Sequence, residues 1–338
     1  MIARLRTVCW CFVVLVGGSL FGLAQNASPN NAPASPDSAA QEQQTQGGQP
    51  AIEEDQGGGY VFKKEVQEVV LHAIVADQTN RLVTSLQQPN FTVLEDGKPQ
   101  QITFFRHEDV PVALGILVDN SGSMRPMRPK LSEAALKLVE ASTTRDRVFV
   151  VNFGDDSYLD QDFTGDVGKL KAALERTETQ GSTALYDAVV ASAEHLEAGA
   201  PHEKKVLLII TDGDDNASQE TLTDAMHRLQ RNSSPVIYAI ALPRQGRRLP
   251  SNTQPLRTLC EQSGGTVFFP NSLDEVKSIS ESIARDIRSQ YVIGYKSSNP
   301  DTPGAYHRIS VQATDRSGDG LRVSTRSGYY AGSADATQ

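Results

Sequence analysis

A chain of 338 residues with 38% hydrophobic side chains is long enough for about two domains with ordinary packed cores. Its formal charge of −9, with 32 Lys and Arg scattered rather than gathered into a stripe, excludes nucleic acid and other phosphate-rich partners. Of three cysteines, Cys9 and Cys11 fall in the first apolar run, so Cys260 stands alone, with no internal disulfide and the character of a small buried hydrophobe.

The chain opens with Arg4 and Arg6, an uncharged run over residues 8–23 and the small-residue sequence Gly22-Leu23-Ala24. These features read as an export signal over residues 1–24, cleaved after Ala24, for a periplasmic or secreted protein. Left uncleaved, the run falls only slightly short of a bilayer span and would tether the chain to a membrane through its N-terminus. Residues 25–59 are Gln, Asn, Ala, Ser, Pro and Gly with almost no large apolar side chain, the composition of a disordered linker. As a random coil of about 35 residues it would span about 30 to 35 Å.

From residue 60 to 109 the pattern becomes alternating, as in Val69-Val70-Leu71-His72-Ala73-Ile74-Val75-Ala76 and Phe91-Thr92-Val93-Leu94, with a hairpin turn at Glu95-Asp96-Gly97-Lys98. Matching strands recur over residues 290–331, at Tyr291-Val292-Ile293-Gly294-Tyr295, His307 to Ala313 and Leu321 to Thr325. A few short strands at either end make poor cores alone, so the expectation is one small antiparallel β-sandwich built from both ends, followed by a disordered tail over 332–338.

The middle, residues 110–289, alternates apolar strands with helical periods, the pattern of a doubly wound, mostly parallel α/β sheet of Rossmann-like type inserted into or flanked by that sandwich. The strands are read at Val112 to Val118, Arg147 to Val151, Val206 to Ile210, Val236 to Ala241 and Thr266 to Phe269. Helical spacing follows at Leu131, Ala134, Ala135, Leu138 and Val139, then at Leu185, Ala188, Val189, Ser192 and Leu196. The last helix shows Val276, Ile279, Ile283 and Ile287 on one face and a start capped by Asn271 or Ser272.

In such a sheet, ligands bind at the carboxyl edge of the strands. The first strand delivers Asp119-Asn120-Ser121-Gly122-Ser123 to that edge, and Thr211-Asp212-Gly213 follows a later strand. Gly181-Ser182-Thr183 opens the helix that carries Leu185. Three loops rich in hydroxyl and carboxylate oxygens suit a hard cation, with Mg²⁺ expected and Mn²⁺ or Ca²⁺ as alternatives. Taken singly, each loop would mean no more than a turn and a helix cap.

The combination of Asp-x-Ser-x-Ser after an apolar strand, a distal Thr and a later Thr-Asp-Gly resembles the metal-ion-dependent adhesion site of von Willebrand factor type A domains. The resemblance covers residues 110–289. It implies that Ser121 and Ser123 coordinate the ion directly, that Thr183 joins them in the ligand-bound state, and that Asp119 and Asp212 act mostly through water. It further implies capture of an Asp or Glu carboxylate on a protein partner. The flanks resemble bacterial exported proteins in which this domain follows a segment reading Phe-x-Val-x-Glu-Asp-Gly, here Phe91 to Gly97. The basic, proline-containing loop Met124-Arg125-Pro126-Met127-Arg128-Pro129 departs from the pattern, which makes Met124, Arg125 and Arg128, with Asp214, the expected partner contacts.

Asp214 and Asp215 read as a solvated acidic rim, and Asp155 and Asp156 as a simple turn. The six histidines lack ligand spacing, and no nucleophile elbow, phosphate loop or dinucleotide fingerprint occurs, so the expectation is a binding module rather than an enzyme. Two other readings remain. One is a structural envelope protein with a purely stabilising ion, the other a metal-assisted hydrolase.

Overall fold

The computed structural model describes residues 52–54, 60–62, 68–107, 109–140, 143–176, 181–231, 234–243, 252–299 and 304–331. The expected export signal and C-terminal tail lie outside these residues, as does the linker apart from 52–54. The chain divides into two units after Lys63. In the first, β1 (Ile52–Glu54) pairs antiparallel with β2 (Tyr60–Phe62). The remaining elements belong to the second unit.

The strands that open the second unit are β3 (Glu68–Ala76), β4 (Phe91–Glu95), β5 (Lys98–Gln100) and β6 (Ile102–Arg106). An α/β domain then intervenes before the chain returns to the same sheet. It begins with β7 (Val112–Asp119), α1 (Arg128–Glu140), β8 (Arg147–Phe153), β9 (Ser157–Thr164) and α2 (Val167–Leu174). It continues through α3 (Leu185–Gly199), β10 (Lys204–Thr211), α4 (Leu222–Leu229) and β11 (Val236–Ala241). It ends with α5 (Gln254–Ser263), β12 (Val267–Phe268) and α6 (Glu275–Arg288).

Its sheet runs β12-β11-β10-β7-β8-β9, parallel throughout except for β9. All eight positions of β7 are buried, because helices cover both faces and leave no side for polar residues. Leu131, Leu138, Leu170, Val276 and Ile283 of α1, α2 and α6 fill one face. Leu185, Val189, Met226, Leu256 and Leu259 of α3, α4 and α5 fill the other, where Cys260 is fully buried as expected. Each fully buried aliphatic side chain of this kind contributes about 1.5 to 3 kcal/mol. The edge strand β9 was not expected, since its half-exposed Ser-Tyr-Leu-Asp-Gln-Asp-Phe-Thr has none of the apolar density of its neighbours. The last helix starts at Glu275, and Asn271 contributes by donating its backbone N–H to the Glu275 carboxylate at 3.0 Å rather than as the cap itself.

Past α6 the chain adds β13 (Tyr291–Lys296), β14 (Tyr306–Thr314), β15 (Gly320–Ser324) and β16 (Gly328–Tyr330). With β3 to β6 they form one eight-stranded sheet ordered β5-β4-β14-β15-β3-β13-β6, with β16 on β14. Only Gln101 separates β5 from β6, so the path returns close to its start and the sheet nearly closes. The expected antiparallel unit built from both ends is thus present, as one curled hydrogen-bonded path around a single interior rather than two separate sheets. That interior holds Leu71, Phe91, Val93, Tyr291, Ile293, Ile309 and Tyr329. Asp96, at φ 50°, and Gly97 make the β4–β5 hairpin turn.

The two crossings between the sheets are held together. Asp146 accepts the Val112 N–H at 2.9 Å and the Thr143 N–H at 2.6 Å, and pairs with Arg288 at the end of α6. Arg288 also reaches Asp109 at 2.8 Å.

Candidate metal centre

Strands β7 and β10 are neighbours, and the chain leaves β7 toward β8 on one side and reaches β10 on the other, so their carboxyl ends form the switch point of the sheet. Asp119 closes β7 and is fully buried. Its Oδ1 accepts the Ser121 N–H at 2.8 Å and its Oδ2 the Thr211 hydroxyl at 2.6 Å. The Ser121 and Ser123 hydroxyl oxygens stand 3.1 Å apart, Ser121 just before a short 3-10 turn and Ser123 within it, and Ser123 Oγ donates to Asp212 Oδ1 at 2.9 Å. Asp119, Ser121, Ser123 and Asp212 therefore form one continuous run of polar contacts.

The third loop is fixed from two directions. Gly181 adopts φ +83°, and a Cβ there would overlap the Asp155 carboxylate. Asp155 Oδ1 accepts the Ser182 N–H at 2.7 Å, and the Ala184 N–H donates to Gly154 O at 2.7 Å. From the other side, Asn216 Oδ1 accepts the Thr183 N–H at 2.8 Å, while Thr183 O accepts the Asn216 and Ala217 N–H groups. Helix α3 lacks a side-chain cap of its own at Ala184. Asp215 instead accepts from the Leu185 N–H at 2.8 Å and Ser218 Oγ from the Tyr186 N–H at 3.0 Å, a cap supplied by the loop after β10. Asp187 returns the favour by accepting the Gln219 and Glu220 N–H groups at 2.9 Å.

Two expectations change. Asp155 does more than turn the chain, and Asp215 is a half-buried cap rather than part of a solvated rim. Neither role, nor those of Thr211, Asn216 and Ser218, was read from the sequence. Only Thr211 carried a local signal, beside Asp212 in Thr-Asp-Gly. The others meet their partners across roughly thirty positions of chain.

The partner contacts also divide. Met124 is wholly buried, and Arg128 is 1% exposed, donating to Asn152 Oδ1 at 2.8 Å and Arg176 O at 2.7 Å. The expectation that these two side chains face a partner is therefore not met in this structure, because the turn after Ser123 folds Met124 inward and the start of α1 points Arg128 into the interior. Arg125 is exposed and Asp214 half-buried.

Burial pushes the Asp119 carboxyl above the usual range, hydrogen bonds from Thr211 and Ser121 work against that, and the charge of Asp212, itself 1% exposed, adds to it. A divalent cation would relieve this pair. The 3.1 Å between the two serine oxygens matches the edge of about 3.0 Å between neighbouring ligands of an octahedral ion with bonds of about 2.1 Å. The residues present thus fit a hard divalent ion. A second cluster, Glu95, Asp96 and His307, brings ligand atoms together in the antiparallel sheet. It is explained without an ion. Glu95 accepts from Tyr295, Ser297, Asn299 and Tyr329, and Asp96 pairs with His307 at 2.8 Å.

Residues 114–214 match the family model of the von Willebrand factor type A domain. That stretch, from β7 to the loop after β10, is similar to a von Willebrand factor type A domain. Such domains generally mediate metal-dependent protein interactions and act as interaction modules. Among solved structures, a von Willebrand factor type A structure from Catenulispora acidiphila is 15% identical over 81% of this chain and 76% of its own, with a TM-score of 0.46. The conserved hypothetical protein BatB from Bacteroides thetaiotaomicron is 18% identical over 52% of this chain and 98% of its own, with a TM-score of 0.43. Proximal thread matrix protein 1 of the mussel byssus, with a zinc-occupied MIDAS motif, is 18% identical over 57% of this chain and 50% of its own, with a TM-score of 0.46. No curated protein matches the chain.

Proposed function

We propose that this von Willebrand factor type A domain is a divalent-metal-dependent module of the cell envelope whose site captures an Asp or Glu side chain of a partner protein. Asp119, Ser121, Ser123, Thr183 and Asp212 would hold the ion, Mg²⁺ by the oxygen-only ligand set, with Mn²⁺ or Ca²⁺ as alternatives. The observation that carries the reading is the layering of the site. The two carboxylates lie fully buried, while Ser123, in contact with Asp212, is exposed at the mouth. When bound, the ion supplies Lewis acidity toward an incoming carboxylate. The chain's own residues orient the hydroxyls, set the carboxylates behind them and fix Thr183 through Asn216. Arg125 and Asp214, at the surface beside the site, would shape partner preference. The reading of residues 1–24 as an export signal supports a periplasmic or secreted location, or a membrane tether if the signal stays in place.

A divalent-dependent pull-down from the native envelope, compared between wild type and Asp119→Ala, tests this. Capture that requires Mg²⁺ or Mn²⁺ and is lost in the variant supports the proposal. Capture that persists without metal and in the variant points to the stabilising reading, which the cross-loop hydrogen bonds around Thr183 and Asp215 favour.

A further inference from the structure

The amino edge of the parallel sheet, opposite the metal loops, faces the outer side of the antiparallel sheet across a cleft of about 820 Å³. That volume lies within the roughly 300 to 1,000 Å³ of small-molecule sites. One wall is made by three adjacent strands. Val70 of β3, Gly294 of β13 and Phe104 of β6 share a cross-strand row, and His72, Val292 and Arg106 the next. A Cβ on Gly294 would overlap the Phe104 ring, so the glycine lets that ring lie across β13, with the Arg106 guanidinium 5.0 Å from its centroid. Val70 is 36% exposed on this wall, an open apolar side chain in mid-strand. Pro111, Ala200, Pro201 and Val236 bring further apolar surface from the α/β side.

The polar lining is unequal in sign. Arg106, Lys204, Lys205 and Arg326 line the cleft against Glu68 and Glu203. His72 reports the resulting field, because burial together with the charges of Lys204 and Arg326 pushes its imidazole down to about 3. Its Nδ1 is buried and has no hydrogen-bond partner among the described residues. An open apolar wall beside a positive field and an unsatisfied imidazole nitrogen is complementary to one kind of molecule, an apolar body ending in a single negative group.

We infer that this cleft binds a single-chain organic carboxylate, with the chain against Val70, Phe104 and Val292 and the carboxylate toward His72, Lys204 and Arg326. The site is independent of the metal loops and would operate whether or not they hold an ion.

Calorimetric titration of the full chain with sodium decanoate tests the inference, with decyltrimethylammonium as the charge-reversed probe and acetate as the head group alone. The expected result is saturable binding of decanoate at one site and none of the other two. Val70→Glu and Arg106→Glu, both at exposed positions, should each weaken decanoate at least tenfold with the melting transition retained. Asp119→Ala should bind decanoate as wild type does, which separates this site from the proposed metal function. Absence of saturable decanoate binding, equal binding of decyltrimethylammonium, or undiminished affinity in both folded variants would overturn it.

Discussion

Asp119 is held at an electrostatic disadvantage, buried and next to a second carboxylate, and such an arrangement is stabilised by an ion rather than by the fold. Asp119→Asn should therefore leave the metal-free protein as stable as wild type or more so, while abolishing its gain on adding Mg²⁺. For wild type that gain is about 2.7 kcal/mol at a hundred times the dissociation constant, read as a shift of the thermal transition. Glu95 presents the opposite case, a buried carboxylate whose two oxygens accept from Tyr295, Tyr329, Ser297 and Asn299. Glu95→Ala leaves those donors without their acceptor and should cost about 3 kcal/mol in urea denaturation. At this scale the Asp-x-Ser-x-Ser run was legible because its members are contiguous, so their polar contacts to one another form within a single loop. The inward turn of Met124 and Arg128 was not, since a basic loop with two prolines carries every local sign of exposure.

Among the elements, α3 is the most informative, for it depends on a neighbouring loop for its first hydrogen bonds. Asp215→Ala should cost about 1 kcal/mol, the value of a lost helix cap. Because Thr183 immediately precedes that turn, the same change should weaken Mg²⁺ several-fold in a calorimetric titration, an effect a simple surface cap would not produce. The inner strands β7, β8, β10 and β11 were legible as apolar runs, since burial on both faces leaves no choice of residue. Strands β5, β6, β9 and β16 were not, being short or placed at an edge, where one exposed face erases the contrast.

For the whole molecule, the two halves of the antiparallel sheet are far apart in sequence, and their union was readable only because neither can bury itself alone. Its curl was not readable, since closure depends on Gln101 joining β5 to β6 and on the irregular register near Gly294. The interface between the sheets also sets an acid response. His72 has a folded value of about 3 against 6.5 when unfolded, so the unfolded chain takes up the proton first. The stability present above pH 6.5 should fall as pH drops toward 3, by on the order of 5 kcal/mol. Burial raises Asp286 to about 6, which works in the other direction, adding stability as pH falls through that value. Urea denaturation at pH 7.5 and 4.0 should show a smaller loss for His72→Gln than for wild type, isolating the histidine from the carboxylate.

Strand β7 begins at the Asp146 tie and ends at Asp119, so about 25 Å of a single strand joins the metal loops to the neck between the sheets. A pull exerted by a captured partner against a tethered antiparallel sheet would run along that strand. The hydrogen bonds of β7 to β8 and β10 lie across this line, so the load would fall on many of them in shear rather than peeling them one by one. Under the proposed capture, the inserted domain would carry load along one strand, from Asp119 at one end to the Asp146 tie at the other.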